Sequence, residues 1–194
     1  MNIGLYFGSF NPIHLGHLII ANHVLNETPI EKIWFVVSPQ NPLKESRSLL
    51  NEHNRLHLVR LATQDDNRIK CSNIEFSLSK PSYTTNTLAF LSEKHPEHKF
   101  AIIMGSDSYQ NLAKWKNYET IISNYPIYVY KRAGSDIIKS FENEPIILNA
   151  PIVQISASQI RENIKSGKSI RYLVPEIVRE EIETRKFYRQ KTRK

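Results

Sequence analysis

The chain has 194 residues, of which 40% are hydrophobic and 10% aromatic, with ten prolines and six glycines. These values fit one globular domain with a full core and exclude collagen-like and low-complexity proteins. The longest apolar runs, residues 33–37 and 100–104, reach about a quarter of a membrane span. A single cysteine, Cys71, excludes a disulfide framework and a cysteine-based zinc site. The first residues lack the pattern of a signal peptide, which predicts a cytoplasmic protein.

The formal net charge of +7 raises the question of nucleic-acid binding. Residues 185–194 hold six lysines and arginines and no acid, so removing those six from +7 leaves +1 for residues 1–184. The basic charge is therefore a short C-terminal tail, which we expect to be a solvated chain end. A weak contact with a polyanion is the alternative, and a specific nucleic-acid partner is not expected.

Apolar runs alternate with amphipathic stretches along the whole chain. The apolar runs predict strands at residues 2–7, 32–38, 69–73, 99–104, 126–130 and 151–155. The amphipathic stretches predict helices at residues 15–26, 52–63, 84–94, 158–165 and 175–186. Residues 39–50 and 132–148 are polar and predict loops. The alternation predicts a doubly wound parallel α/β sheet in one domain, residues 1–184, followed by the basic tail, residues 185–194.

Polar residues follow most of the predicted strands. They lie at residues 8–11, 39–44, 105–107, 131–132 and 156–158. In doubly wound folds, ligands bind beyond the carboxyl ends of the strands. The sequence therefore predicts a ligand site built from these segments.

The segment from Gly8 to His17 contains two glycines and two histidines between a predicted strand and a predicted helix. Gly8 and Gly16 would let the backbone approach a ligand, and the helix N-terminus favours an anion. His14 and His17 would lie on one side of the first helical turn and could donate to phosphate oxygens. The alternatives are capping or surface histidines, and a metal site that lacks a third ligand at suitable spacing.

This segment, Gly8-Ser9-Phe10-Asn11-Pro12 followed by His14-Leu15-Gly16-His17, resembles the signature of the nucleotidyltransferase superfamily that carries the H-x-G-H motif. A second segment, residues 155–161 (Ile-Ser-Ala-Ser-Gln-Ile-Arg), resembles the I-S-S-T-x-I-R element of the same superfamily. The resemblance implies a Rossmann-like nucleotidyltransferase fold.

Within that superfamily the chain is most similar to bacterial nicotinate mononucleotide adenylyltransferases. Beyond the two signatures, the similarity includes residues 39–44, 55–56, 81–88, 104–107, 114–116, 131–132 and 167–175. Two positions depart from the family pattern, Asn11 in place of Asp and Ala157 within the serine element. An asparagine keeps the turn-forming side chain, and Ala157 leaves a serine on each side.

The resemblance implies transfer of the adenylyl group of ATP to nicotinate mononucleotide, which yields nicotinate adenine dinucleotide and pyrophosphate. It also implies Mg²⁺, held mainly by the ATP phosphates, and small-molecule partners with no membrane. Such a transfer requires alignment and charge neutralisation more than a protein nucleophile. The sequence leaves open whether the chain forms a homo-oligomer.

The resemblance assigns site residues in three groups. The catalytic group is His14, His17, Lys44 and Arg161. The ATP-binding group is Gly8, Ser9, Phe10, His14, His17, Gly105, Asp107, Arg132, Ser156, Ser158 and Arg161. The mononucleotide-binding group is Ser9, Lys44, Tyr83, Thr84, Thr85, Trp115 and Lys116.

Several of these residues have a plainer interpretation. Asp107 could be an N-cap, Arg132 a surface charge and Trp115 a core tryptophan. Residues 55–60, with His57, are expected to be a solvated helix face, and Trp34 a core residue.

Other functions remain as alternatives to this assignment. Within the superfamily they are pantetheine-phosphate adenylyltransferase, nicotinamide mononucleotide adenylyltransferase and cytidylyltransferase. Outside it, the alternative is a non-catalytic nucleotide-binding module.

Overall fold

The structure, a computed structural model, describes residues 1–39, 49–78, 82–132, 134, 137, 141 and 143–189. Six parallel strands form one sheet: β1 (Asn2–Gly8), β2 (Lys32–Val37), β3 (Ile69–Ser72), β4 (Lys99–Gly105), β5 (Ile127–Tyr130) and β6 (Ile146–Leu148). Their order across the sheet is β3-β2-β1-β4-β5-β6. This is the doubly wound order, with the switch point between β1 and β4, and it confirms the predicted fold class.

Among the described residues, seven helices connect or follow the strands: α1 (Leu15–Glu27), α2 (Glu52–Thr63), α3 (Thr84–Lys94), α4 (Ser106–Gln110), α5 (Tyr118–Asn124), α6 (Ala157–Lys165) and α7 (Glu176–Thr184). The bounds of α2 and α3 agree with the predictions, and those of α1, α6 and α7 agree within two residues. Two 3₁₀ turns, Ile74–Phe76 and Leu112–Lys114, complete the described elements. The short α4 and α5 were not predicted, since five and seven residues are too few to show a helical period.

The sheet is buried on both faces, so β1 alternates between two hydrophobic clusters. Ile3 and Leu5 point to the cluster that includes residues of α3 and α5, whereas Tyr6 points to the cluster with α1, α2, α6 and α7. Trp34 is 6% exposed, as predicted for a core residue. The parallel register pairs Gly8 with Val37 and brings the carboxyl ends of β1 and β2 to the same level.

The predicted sixth strand is wrong. Residues 151–155 are not part of the sheet, and the strand at its edge is β6, within the segment predicted as a loop. The apolar side chains of residues 151–155 pack near the N-termini of two helices. Ile155 packs against the core beside α6, and Val153 lies close to Gly16 at the start of α1. A strand of three residues is too short to show alternation, whereas residues 151–155 have the apolar composition of a strand.

The predicted tail does not begin as a solvated chain end. Phe187 and Tyr188 pack against the core after the end of α7, and the hydroxyl of Tyr188 is buried. Residues 190–194 lie outside the described residues, so the boundary at residue 184 stays a prediction. Within the part of the chain that the structure describes, no helix has the length and apolarity needed to cross a membrane.

Candidate functional site

A cavity of about 540 Å³ lies at the carboxyl ends of β1, β4 and β5. Fifteen of the predicted site residues line it: Gly8, Ser9, Phe10, His14, His17, Tyr83, Thr84, Gly105, Asp107, Trp115, Lys116, Arg132, Ser156, Ser158 and Arg161. Thr85 does not line it, and its hydroxyl donates to the main-chain oxygen of Lys116. Lys44 lies outside the described residues, as does the whole of segment 40–48. The structure therefore brings both sequence signatures to one cavity.

The turn after β1 is shaped by the ring of Phe10. Phe10 has a φ of 44°, and its ring folds back beneath the strand end, where a Cβ at position 8 would lie 2.8 Å from its Cζ. Gly8 is therefore needed for the packing of Phe10, in addition to any approach of a ligand. Gly16 has a similar role, because a Cβ there would lie 3.0 Å from Nδ1 of His14.

His14 and His17 stack on each other at the start of α1. Their ring centroids are 3.7 Å apart, and the main-chain N–H of His14 donates to Nδ1 of His17 over 3.2 Å. Because Nδ1 of His17 accepts this hydrogen bond, the proton of the neutral ring is on Nε2. Tyr6 and Phe10 pack edge-on against the His17 ring. The sequence prediction that both rings lie on one side of the first turn is confirmed.

Both imidazoles are neutral at pH 7. Burial, with a contribution from Arg132, lowers the pKa of His14 to about 4. Burial also lowers the pKa of His17 well below its usual value, and the neighbouring His14 and Arg132 lower it further. Among the described residues, Nδ1 of His14 is buried without a hydrogen-bond partner. The pair can thus donate to an anion, and a bound anion would raise both pKa values.

The start of α6 closes the cavity beside these histidines. The Ser156 hydroxyl accepts from the N–H of Gln159 and caps the helix, so its own proton is available for a ligand. Arg161 donates to the main-chain oxygen of Asn11 over 2.8 Å and to the Ser158 hydroxyl over 3.2 Å. Neither acceptor is charged, so the guanidinium keeps its full positive charge beside the cavity.

The departure at position 11 has a structural explanation. The side-chain oxygen of Asn11 accepts from the main-chain N–H of Leu50 over 3.1 Å, just before α2. An amide oxygen accepts such a bond as a carboxylate would. The substitution therefore preserves this link between the turn after β1 and the segment before α2.

A network of polar groups lies at the ends of β4 and β5. Arg132 donates to Asp107 over 3.2 Å and to the Tyr130 hydroxyl over 3.3 Å, and the buried Tyr6 hydroxyl donates to Tyr130 over 2.9 Å. The N-cap of α4 is Gly105 and Asp107 lies within its first turn, which excludes the N-cap interpretation. Its Oδ1 has no hydrogen-bond partner within the described part of the chain. Asp107 can therefore accept from ligand hydroxyls while Arg132 holds it in place.

The opposite wall of the cavity is organised by Glu75, which the sequence analysis missed. This carboxyl is 2% exposed and accepts from the hydroxyls of Ser82 over 2.8 Å and Thr87 over 3.0 Å. Burial raises its pKa, and these hydroxyls, with that of Ser38, oppose the rise. Glu75 therefore fixes the segment that leads into α3, where Tyr83 and Thr84 line the cavity. A lone glutamate in a short 3₁₀ turn carries no sequence signal for this role.

Trp115 and Lys116 complete that wall. Trp115 packs against a core cluster, as the plainer interpretation predicts, and it also lines the cavity, so its contact with a mononucleotide stays a prediction. The ammonium of Lys116 lies 4.8 Å above the Tyr83 ring. In the first turn of α3, the main-chain N–H groups of Asn86 and Thr87 donate to the oxygen of Tyr83.

The expectation of a solvated face at residues 55–60 is wrong for Arg55, whereas the side chain of His57 is 40% exposed. Arg55 is 0% exposed and donates to four main-chain oxygens, those of Ser9, Ser38, Pro39 and Leu50. It thus ties the ends of β1 and β2 to the segment before α2. His57 pairs with Glu181 of α7 at 2.8 Å. The sequence predicts an exposed Arg55 because arginine is rarely buried. In the fold, the carbonyl oxygens at the ends of β1 and β2 need a donor with several N–H groups, which arginine supplies.

Comparisons with known proteins agree with this geometry. Residues 5–163 match the cytidylyltransferase-like family. The chain is 51% identical to a probable nicotinate-nucleotide adenylyltransferase of Flavobacterium psychrophilum and 50% identical to that of Flavobacterium johnsoniae, in each case over 98% of this chain and 100% of the relative. The fold matches the Plasmodium falciparum nicotinic acid mononucleotide adenylyltransferase complexed with NaAD at a TM-score of 0.83 and 23% identity, covering 96% of this chain and 97% of that one.

We predict that Arg55→Met destabilises the protein by about 3 kcal/mol or more, because four buried carbonyl oxygens lose their donor. Urea denaturation of the purified variant measures this change. Arg60→Met is the matched control, since Arg60 is exposed on the same helix and its loss should cost less than about 0.5 kcal/mol. Equal effects of the two substitutions would show that the four hydrogen bonds of Arg55 do not contribute to stability.

We predict that His14 makes the fold sensitive to acid. Its pKa of about 4 in the fold lies below the value of about 6.5 in the unfolded chain, so stability is full above pH 6.5 and falls as pH drops toward 4. Between pH 7 and 4.5 the wild type should lose about 2 kcal/mol more than His14→Gln. Urea denaturation at both pH values checks this difference, and parallel losses in the two proteins would refute it.

Proposed function

This chain belongs to the nicotinate-nucleotide adenylyltransferases of the cytidylyltransferase-like family, and on that premise we propose that it transfers the adenylyl group of ATP to nicotinate mononucleotide. The products are nicotinate adenine dinucleotide and pyrophosphate, in a step of NAD biosynthesis. The observation that carries the proposal is the single cavity in which the paired histidines of α1 face the start of α6. We also propose a cytoplasmic location, where ATP is available.

In this reaction an oxygen of the mononucleotide phosphate attacks the α-phosphorus of ATP. The new P–O bond forms while the bond to the β-phosphate oxygen breaks, and pyrophosphate carries the electron pair away. The attacking phosphate is already anionic, so no general base is needed. The protein contributes alignment of the two phosphates and donors for the charge that develops.

The donors for the ATP phosphates come from both signatures. His17 would donate from Nε2 to the α-phosphate, since its Nδ1 is held by the main chain of His14. Ser156, Ser158 and Arg161 would hold the β- and γ-phosphates at the start of α6, whose N-terminus favours an anion. Lys44 remains a proposed phosphate contact from the family pattern alone.

The adenosine would lie over the ends of β4 and β5. Gly105 leaves no side chain there, and a Cβ would lie 2.7 Å from Oδ1 of Asp107. Because Oδ1 lacks a partner among the described residues, it is the proposed acceptor for ribose hydroxyls. Arg132 pairs with this carboxylate at 3.2 Å and orients it.

The nicotinate ring would lie against Trp115, between the first turn of α3 and Lys116. Main-chain N–H groups of Thr84 and Thr85 would then donate to the nicotinate carboxylate. Ser9 and Tyr83 would contact the rest of the mononucleotide from the two sides of the cavity.

The magnesium ion is best described as part of the ATP substrate. Glu75 and Asp107 are the carboxylates that line the described cavity, and both are engaged, Glu75 by hydroxyls and Asp107 by Arg132. Mg²⁺ prefers oxygen ligands and commonly binds through substrate phosphates and water. This donor set therefore fits an ion that enters with the triphosphate, where it neutralises the leaving pyrophosphate.

The activity is tested by pyrophosphate release with ATP, Mg²⁺ and a panel of acceptors. The panel contains nicotinate mononucleotide, nicotinamide mononucleotide and phosphopantetheine, with CTP in place of ATP as a further arm. Turnover only with phosphopantetheine or only with CTP would assign the chain to another branch of the superfamily. Binding without turnover of any acceptor would indicate a non-catalytic module.

We predict that His17→Ala lowers kcat by about 10²–10³, because one preorganised donor to the transition state is lost. Steady-state kinetics at saturating substrates measures the change, and circular dichroism checks that the variant is folded. His53→Ala, at an exposed histidine of α2, is the control and should keep the wild-type rate. A folded His17→Ala enzyme within threefold of that rate would remove His17 from the catalytic group.

We predict that nicotinate mononucleotide is preferred over nicotinamide mononucleotide by about 10²-fold or more in kcat/KM. Main-chain N–H groups satisfy a carboxylate, whereas the NH₂ of the amide would meet donors and lose about 1–3 kcal/mol. Initial rates for both mononucleotides at saturating ATP give the ratio. Parity, or a preference for the amide, would mean that the ring binds elsewhere than the first turn of α3.

A further inference from the structure

A cluster of two histidines and one glutamate lies at the end of the sheet opposite the cavity. His95 is the C-cap of α3, His98 directly precedes β4, and Glu97 lies between them. We refer to these three residues as the His95 cluster. None of them lines the cavity, so the proposed reaction does not use them.

The three side chains place ligand atoms at metal-binding distances. Oε1 of Glu97 lies 3.6 Å from Nδ1 of His95 and 3.2 Å from Nε2 of His98. One ligand atom from each residue lies within 4.8 Å of the other two. Zinc bonds of about 2.0–2.1 Å in a tetrahedron put neighbouring ligand atoms about 3.4 Å apart. The two separations from Glu97 already match this value, and rotation of the His95 ring would bring the third, between the two imidazole nitrogens, to it.

The two imidazoles pack against each other and against an aromatic side chain. Their rings are stacked with centroids 5.5 Å apart and planes only 8° apart, and both pack edge-on against Trp34. The main-chain N–H of His98 donates to the oxygen of His95, which fixes the turn between them. The side chain of His98 is 12% exposed and that of His95 27%, whereas Glu97 is 60% exposed. Because the lone pairs of two parallel rings do not meet at one point, one ring has to rotate before both can bind the same ion. His95 is the more exposed of the two and has room for this rotation, and the exposed Glu97 leaves an entry path.

Glu97 forms ion pairs with both histidines. An exposed carboxylate that pairs with a histidine contributes little stability. Here both imidazoles lie next to the same oxygen atom, Oε1 of Glu97. The N-terminal ammonium of Met1 donates to the main-chain oxygen of Glu97 rather than to its carboxylate. The carboxylate thus keeps its charge for a cation.

We propose that His95, Glu97 and His98 bind one Zn²⁺ ion, with water as the fourth ligand. Imidazole and carboxylate ligands suit zinc, whereas Mg²⁺ prefers an all-oxygen shell, so this site is distinct from the ion that accompanies ATP. Bound zinc would join the end of α3 to the start of β4 and stabilise the fold.

The test uses the full chain without a polyhistidine tag, titrated with zinc sulfate by calorimetry in the absence of nucleotide. We expect one zinc ion per chain, a melting temperature raised by a few degrees, and no displacement by millimolar Mg²⁺. His98→Gln should weaken zinc binding by at least about tenfold, since loss of even an outer-shell partner costs 10–100-fold. Glu97→Gln should have a similar effect, and its exposed position keeps the result interpretable if His98→Gln fails to fold.

Two histidine variants outside the cluster serve as controls. His53→Gln removes an exposed histidine of α2 and should leave zinc binding unchanged. His17→Gln tests the other stacked pair of imidazoles. Zinc binding that is lost in His17→Gln but unchanged in Glu97→Gln would overturn the proposal. So would a wild-type protein that shows no saturable zinc binding below about 100 µM.

Discussion

Strand β1 is paired with β2 on one side and with β4, from the second half of the chain, on the other. The helices that follow β1 and β4 therefore leave toward opposite faces of the sheet, and a gap opens between them at the carboxyl ends of the strands. The cavity occupies this gap, with α1 and α6 on one side and the first turn of α3 on the other. Its position is thus a consequence of strand order, whatever ligand it binds.

The turn after β1 has its shape fixed by side chains from three other parts of the chain. Arg55 of α2 donates to the oxygen of Ser9, Arg161 of α6 donates to the oxygen of Asn11, and Asn11 in turn accepts from Leu50. The buried guanidinium is tolerable because four carbonyl oxygens surround it. The shape of the turn that leads to the two histidines therefore depends on hydrogen bonds from residues distant in sequence.

The sequence predicts the strands and helices that are long enough to show a hydrophobic period or that are followed by a recognisable turn. Five of the six strands, the five longer helices and the convergence of the two signatures followed from apolar periodicity and from polar residues after strands. The edge strand β6 was misplaced because three residues carry no alternation, while the apolar segment before α6 looks like a strand but packs against helix starts. Arg55 and Glu75 were missed since their roles depend on long-range hydrogen bonds that leave no local pattern.

The positive charge beside the two histidines is limited. His14 and His17 are neutral because burial penalises a charge that has no partner, and the stacked rings would repel each other if both were protonated. Of the two described arginines that line the cavity, Arg132 pairs with Asp107, whereas the described contacts of Arg161 are with neutral acceptors. A triphosphate placed beside the histidines would reverse the balance, because an adjacent anion favours the protonated imidazole. The fold thereby avoids a buried repulsion between like charges, and the two imidazoles would become stronger donors beside a phosphate.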